Sequence, residues 1–278
     1  MIPIRIKQFP AFAQQVTQRS RVLAQPLTAQ PTFHLCYFSC QSYFKYLYCA
    51  LHSLKAIGGS FRYRVIVFSD TDMPLSVAQI TALHELMPEC LTVQPWPKSM
   101  GWGATQIGWI WRAYALALEG AKEGDIIARI DSDVFFFNDR IFQAVQRSDA
   151  DMVGDGHYVR LEFCQGGCYF FKAPAVRKIL QMLEREPLAQ VVQEIDPVVE
   201  DVAATHFARR LGLKVWLTWF MMFPDELRNA GGLTRWQRWK FSCVHFVMKN
   251  KSAMLLAYDK EVLDSKPSEH YLRQLEIA

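Results

Sequence analysis

The segment Asp125-Ile126-Ile127-Ala128-Arg129-Ile130-Asp131-Ser132-Asp133-Val134-Phe135-Phe136-Phe137 constrains the fold of this chain more than any other. Ile126, Ile127, Ile130 and then Val134 to Phe137 form a nearly continuous apolar run, the pattern of a strand buried on both faces of a parallel sheet. An ionised carboxylate in such surroundings is unstable unless it is paired or binds an ion. Asp131 and Asp133, one residue apart, therefore mark a ligand site, because ligands of open parallel sheets bind beyond the carboxyl ends of the strands. Their hard oxygens suit Mg2+ or Mn2+ held together with a diphosphate. The plainer reading makes Asp131 a helix cap and Asp133 a loop residue, since so short a motif also arises by accident.

The rest of the chain supplies a frame for such a strand. Residues 33–39 read as a first core strand and Ser42 to Ile57 as a helix that stops at Gly58-Gly59. Residues 64–69 form a second strand that ends at Asp70, Ser76 to Met87 a helix, and Leu91-Thr92-Val93 a third strand. The aromatic helix Thr105 to Leu118 then precedes the strand from Asp125 to Ile130. This alternation predicts a doubly wound parallel sheet with Ser39-Cys40, Asp70 and Asp131 to Asp133 at its carboxyl edge. Further on, Phe163 to Phe171 reads as a strand interrupted at Gln165-Gly166-Gly167 by a close backbone approach. Pro174 to Arg185 and Glu200 to Leu211 are expected helices, and Leu213 to Leu217 and Val244 to Phe246 expected strands. With no repeat or flexible linker, the expectation is an N-terminal arm (1–30) and one domain (31–278).

Composition narrows the function classes. At 278 residues, 51% hydrophobic and 21% charged, the chain can bury a large core, and no run of 18 apolar residues is free of charge. The N-terminus lacks the apolar stretch of a secretory signal, so a cytoplasmic location is expected, with peripheral contact to the inner membrane face as its extension. The first 69 residues hold eight basic side chains and no acidic one, which suits an anionic partner or simply a solvated basic surface. The seven cysteines sit mostly in apolar runs and read as reduced thiols; zinc on Cys36/Cys40 or Cys164/Cys168 is the lesser alternative.

Taken in order, these motifs carry a resemblance. The chain resembles nucleotide-sugar-dependent glycosyltransferases of the GT-A fold over residues 33–251. Asp131-Ser132-Asp133 matches the metal motif and Gln165-Gly166-Gly167 the glycine-rich loop on the acceptor side. Glu200-Asp201 matches the acidic pair that opens a helix, and His245 the C-terminal metal-binding histidine, with Lys249 and Lys251 behind it. The resemblance implies an α/β, Rossmann-like, mostly parallel sheet flanked by helices, with a nucleotide-binding half (31–138) and a mixed acceptor-binding half (139–278). It implies Mn2+ or Mg2+ on Asp131, Asp133 and His245, and a nucleoside diphosphate sugar, expected to be a UDP-sugar, as donor.

Donor contacts implied in the same way are Ser39, Asp70, Arg112, Asp131 and Lys249, with Lys251 the alternative to Lys249; acceptor contacts are Gly166, Gly167 and Glu200. Asp201 is the implied general base, which favours inversion over retention. The chemistry is coherent: the departing diphosphate's charge needs neutralising, and the attacking hydroxyl of a glycan or lipid-linked acceptor must lose a proton. For Asp70 a turn-forming role is the plainer reading, and for Trp109, Trp111 and Tyr114 core packing. Trp236 to Lys240 is read as a membrane contact or a cap over the site. The other classes considered are a haloacid-dehalogenase-type phosphatase using Asp131, a sugar-phosphate nucleotidyltransferase, and a non-catalytic carbohydrate-binding or scaffold protein; no nucleic-acid partner is expected. The phosphatase motif, however, normally closes a first strand, and three candidate strands precede it here.

Overall fold

A computed structural model of the chain describes residues 30–98, 101–158, 162–223, 235–246 and 251–261. The first half alternates as the pattern predicts: β1 (Thr32–Ser39), α1 (Phe44–Ile57), β2 (Arg62–Asp70), α2 (Val77–Leu86), β3 (Leu91–Trp96), α3 (Ala104–Leu118) and β4 (Ile126–Asp131). There follow β5 (Val134–Phe136), α4 (Arg140–Arg147), β6 (Met152–Tyr158), β7 (Glu162–Lys172), α5 (Ala173–Arg185), α6 (Leu188–Val191), α7 (Glu200–Arg210) and β8 (Val215–Thr218). The described chain closes with β9 (Met221–Met222), α8 (Arg235–Lys240), β10 (Cys243–His245) and α9 (Ser252–Glu261). The arm expected over 1–30 lies outside the described residues apart from Gln30.

The main sheet has seven strands in the order β3-β2-β1-β4-β7-β6-β8. β3, β2, β1 and β4 are mutually parallel, and β7 joins β4 antiparallel. Leu35 and Tyr37 of β1 pack into one core, and Cys36 and Phe38 into the other, so both faces of the sheet are covered, as an all-parallel core requires. Local chemistry sets the helix ends. Ser76 and Gln79 close a reciprocal capping box at the start of α2, satisfying donors that a bare helix end leaves unpaired. Among the described residues, no helix is long and apolar enough to cross a membrane.

Two departures from the sequence reading shape the site. The apolar run 126–137 is not one strand: Ser132 and Asp133 turn the chain, and β5 enters a second sheet in the order β5-β10-β9. Ser132 Oγ holds the turn by donating to the Phe38 carbonyl at 2.9 Å. β7 is also longer than expected and bulged. Gly154 of β6 faces Tyr169 while Gly156 faces Cys164, so one residue of β6, Asp155, stands opposite the four of β7 from Gln165 to Cys168. Bulges of this kind re-aim backbone and side chains beside functional sites.

Candidate active site

β4 ends with Asp131 against Phe38 of β1, at the carboxyl edge of the parallel strands. The turn that follows carries Asp133, whose carbonyl accepts the Phe246 N–H at 2.9 Å and so fixes the end of β10 beside it. His245, the last residue of β10, thereby lies with Nε2 3.1 Å from Asp133 Oδ1 and 3.5 Å from Asp131 Oδ2. Its other nitrogen, Nδ1, lies 3.3 Å from Gln165 Oε1, a carbonyl oxygen that also accepts the Gly167 N–H at 2.7 Å. Because that oxygen can only accept, Nδ1 carries the proton, and in the neutral ring the lone pair of Nε2 faces the two acids.

The electrostatics fit a cation. Burial opposes ionisation of Asp133, but the charges of His245 and Lys251 and their hydrogen bonds outweigh it and hold its carboxyl below the usual range. Lys251 Nζ sits 3.0 Å from Asp133 Oδ2 and 2.8 Å from the Tyr43 hydroxyl. Burial lowers the His245 pKa, but Asp133 beside it reverses the balance and raises it. Asp131 is pushed up by burial in spite of Arg129. Two cationic side chains are thus drawn onto two acids. Asp131, Asp133 and His245 also each offer a ligand atom, all within 4.8 Å of one another, a set of two carboxylates and an imidazole that fits Mn2+ or a similar divalent ion.

Arg129, which the sequence reading did not single out, links this end of the site to the other. One guanidinium nitrogen lies 2.9 Å from Asp131 Oδ1, and another lies 3.2 Å from Glu200 Oε2 and donates to the Gly166 carbonyl. The signal was present in the sequence as a lone charge between Ala128 and Ile130, which demands a partner as strongly as the acids do. Burial raises the Glu200 carboxyl to about 8 although Arg129 pulls it down, with Asp201 and Asp131 adding to the rise. Among the described residues, Glu200 Oε1 is buried without a hydrogen-bond partner. Asp201 accepts the Gly166 N–H at 3.1 Å through Oδ2 and the Val202 N–H at 2.9 Å through Oδ1. Burial outweighs these bonds, and the Asp201 pKa stands above the usual carboxylate range.

The two glycines of the bulge are required by space. A Cβ on Gly167 would lie 2.4 Å from His245 Nδ1, and one on Gly166 would lie 3.2 Å from both Arg129 and Asp201 Oδ2. The backbone at Gly166 and Gly167 therefore lies directly against Asp201 on one side and His245 on the other.

Asp131, Asp133, His245, Gly166, Glu200 and Asp201 line one cavity of about 530 Å³, together with Arg129, Gln165 and Lys251. The expected donor contacts Ser39, Asp70 and Arg112 are not part of its wall. Ser39 is buried at the end of β1, one residue beyond Phe38, which does line the cavity. Asp70 accepts the Asp72 N–H at 2.9 Å, the turn geometry of its plainer reading. Arg112 is exposed and stacks on Trp109 at 4.6 Å from the ring centre, while Trp111 and Tyr114 pack in the core. Lys249 lies outside the described residues, and Lys251 provides the cation at the acids. Cys36, Cys40, Cys164 and Cys168 are free and buried, and among the described residues no cysteine joins a metal-binding group.

No protein-family model and no curated protein sequence matches the chain. Solved structures match its fold. The chain is similar to the galactosyltransferase LgtC, crystallised with donor and acceptor sugar analogues, at 12% identity over 87% of this chain and 95% of that one, with a TM-score of 0.50. It is also similar to the apo bifunctional glycosyltransferase WbbM, at 10% identity and a TM-score of 0.54, covering 90% of this chain and 52% of WbbM. These likenesses establish the fold as GT-A. β1, β2 and β3 precede the acidic turn, whereas the dehalogenase-type motif normally closes a first strand.

Proposed function

We propose that the chain is a metal-dependent glycosyltransferase that moves a sugar from a nucleoside diphosphate sugar to a hydroxyl of a glycan or lipid-linked acceptor. The observation that carries this reading is one cavity in a GT-A fold lined both by the converging Asp131, Asp133 and His245 and by the acidic pair Glu200 and Asp201. Fold alone does not specify chemistry; the site must. When bound, Mn2+ or Mg2+ supplies Lewis-acid neutralisation of the diphosphate charge. Lys251 adds a fixed positive charge beside the same acids. Gln165 keeps His245 Nδ1 protonated and Nε2 directed at the acids. Asp201 accepts the proton of the acceptor hydroxyl as its oxygen bonds to the anomeric carbon and the bond to the diphosphate breaks. That direct displacement inverts the anomeric carbon. Glu200, neutral up to about pH 8, donates a hydrogen bond to a sugar oxygen. The exposed Trp236 and Trp239, with Lys240 beside Trp236, support peripheral contact with a membrane that carries a lipid-linked acceptor.

Calorimetric titration with UDP and GDP, with and without Mn2+, tests the reading. Binding of one of them is expected to require Mn2+, and Asp133→Ala to abolish it in a chain that circular dichroism shows to be still folded, with a lower melting temperature because His245 and Lys251 lose a buried partner. Metal-independent binding, or binding unaltered in the variant, refutes the proposal.

A further inference from the structure

Trp102 stands apart from the charged groups at the mouth of this cavity. It lines the cavity yet is 82% exposed, so most of an indole surface of roughly 150–250 Å² faces water. Single exposed apolar side chains are ordinary, but this one lines a cavity and lies between two glycines of unusual backbone. Gly101 has φ +116° and Gly103 φ +89°, conformations that L side chains rarely adopt. A Cβ on Gly103 would meet nothing within 4 Å, so glycine is needed there for its dihedral and not for room. Gly103 also opens α3, its carbonyl accepting the Ile107 N–H at 3.1 Å. Trp102 therefore sits immediately before the residue that opens α3, with its indole exposed.

Its neighbours identify what it would meet. Gln106 and Ile110 of α3 line the same wall, and α3 packs against α7, which brings in Val199, Glu200 and Asp201. An exposed aromatic face in a cavity that two carboxylates also line, one of them with an unpartnered buried oxygen, matches a pyranose: its C–H face is apolar and its rim is hydroxyl. A nucleobase would also stack, but the cation and the acid that face a nucleotide's phosphates, Lys251 and Asp133, come from the residue before α9 and from the turn after β4, and the histidine beside them, His245, from β10. We infer that Trp102 is the stacking platform for the acceptor's sugar ring and a determinant of acceptor specificity. The inference rests on the glycosyltransferase reading above.

The test is glycan-array binding by the full chain, as wild type, Trp102→Phe and Trp102→Ala, beside calorimetric binding of UDP and GDP with Mn2+. Trp102→Ala is expected to weaken glycan binding by about tenfold, the scale of one lost stacking contact, and Trp102→Phe to keep most of it. Nucleoside diphosphate binding is expected to stay at the wild-type level in both. A comparable loss of nucleotide affinity in Trp102→Ala overturns the inference and makes the residue a base platform. Glycan binding equal to wild type in that variant, or a wild-type chain that binds no glycan, overturns it as well. A chain that binds glycans through Trp102 but no nucleoside diphosphate instead refutes the transferase reading and leaves the platform standing.

Discussion

Asp201 carries the acid–base chemistry of the proposed reaction, and its surroundings pull in opposite directions. Burial, together with the charge of Asp131, favours the protonated form, while two backbone N–H groups and Arg129 favour the carboxylate. Burial wins, so the group gives up its proton above the range of an ordinary aspartate. A base needs the deprotonated form; kcat/KM is therefore expected to climb with pH through that raised pKa. Asp201→Asn keeps an oxygen for the Gly166 N–H but cannot take a proton. Turnover should drop by about 100- to 10,000-fold, donor affinity should hold, and the ascending limb should vanish from a pH–rate profile. A variant with a lower melting temperature but near-normal turnover and pH profile would show a merely structural carboxylate. Arg129 teaches a complementary lesson. Its role needs three partners, Asp131, Gly166 and Glu200, scattered over the 70 residues from 131 to 200, and only the folded chain brings them together.

The elements most legible in the sequence are those fixed by local chemistry. The capping box at Ser76 and Gln79 and the apolar spacing of α2 are contained within one stretch of sequence, and the alternation of β1 to β4 with helices follows from periodicity alone. The glycine pair was recognisable as a close backbone approach, and it is one. The end of β4 near Ile130 was legible, but the entry of β5 into a second sheet was not, because only pairing with β10 shows it. The bulge of β7 was likewise hidden, being a matter of register against β6. Its glycines can be tested directly. Gly167→Ala puts a methyl group into the His245 ring, a contact no real Cβ shows, so the ring must move off its acids or β7 must shift. Mn2+-dependent nucleoside diphosphate affinity should fall by about tenfold or more, with stability lowered by about 1–3 kcal/mol, in calorimetry and chemical denaturation. Gly166→Ala, with 3.2 Å clearances to Arg129 and Asp201, should leave metal-dependent binding closer to wild type and reduce turnover instead. Equal metal-dependent affinity in Gly167→Ala and wild type would mean that His245 does not hold the ion.

At the scale of the molecule, the site is a junction between two sheets. The seven-stranded sheet brings Arg129, Asp131 and the glycine bulge, while the three-stranded sheet brings His245 on β10 beside the turn that carries Asp133. Their relative position therefore sets how Asp131, Asp133 and His245 face one another. Asp155 helps to fix it: fully buried in β6, opposite the bulge, it accepts the Phe220 N–H at 2.9 Å and the Met221 N–H at 2.8 Å, where the chain passes into β9. β9 pairs with β10, so a carboxylate in the large sheet ties down the strand beside His245. Asp155→Ala removes the acceptor from two buried donors, at about 1–3 kcal/mol for each one left unsatisfied. Chemical denaturation should register that loss. Mn2+-dependent nucleoside diphosphate binding should weaken too, under conditions where the variant is still fully folded, because β10 loses its tether. Asp155→Asn retains an oxygen for the same N–H groups and should recover most of both. If the alanine variant is destabilised yet binds as tightly as wild type, β10 holds His245 in place through its pairing with β5, which packs against α1, and Asp155 serves stability alone.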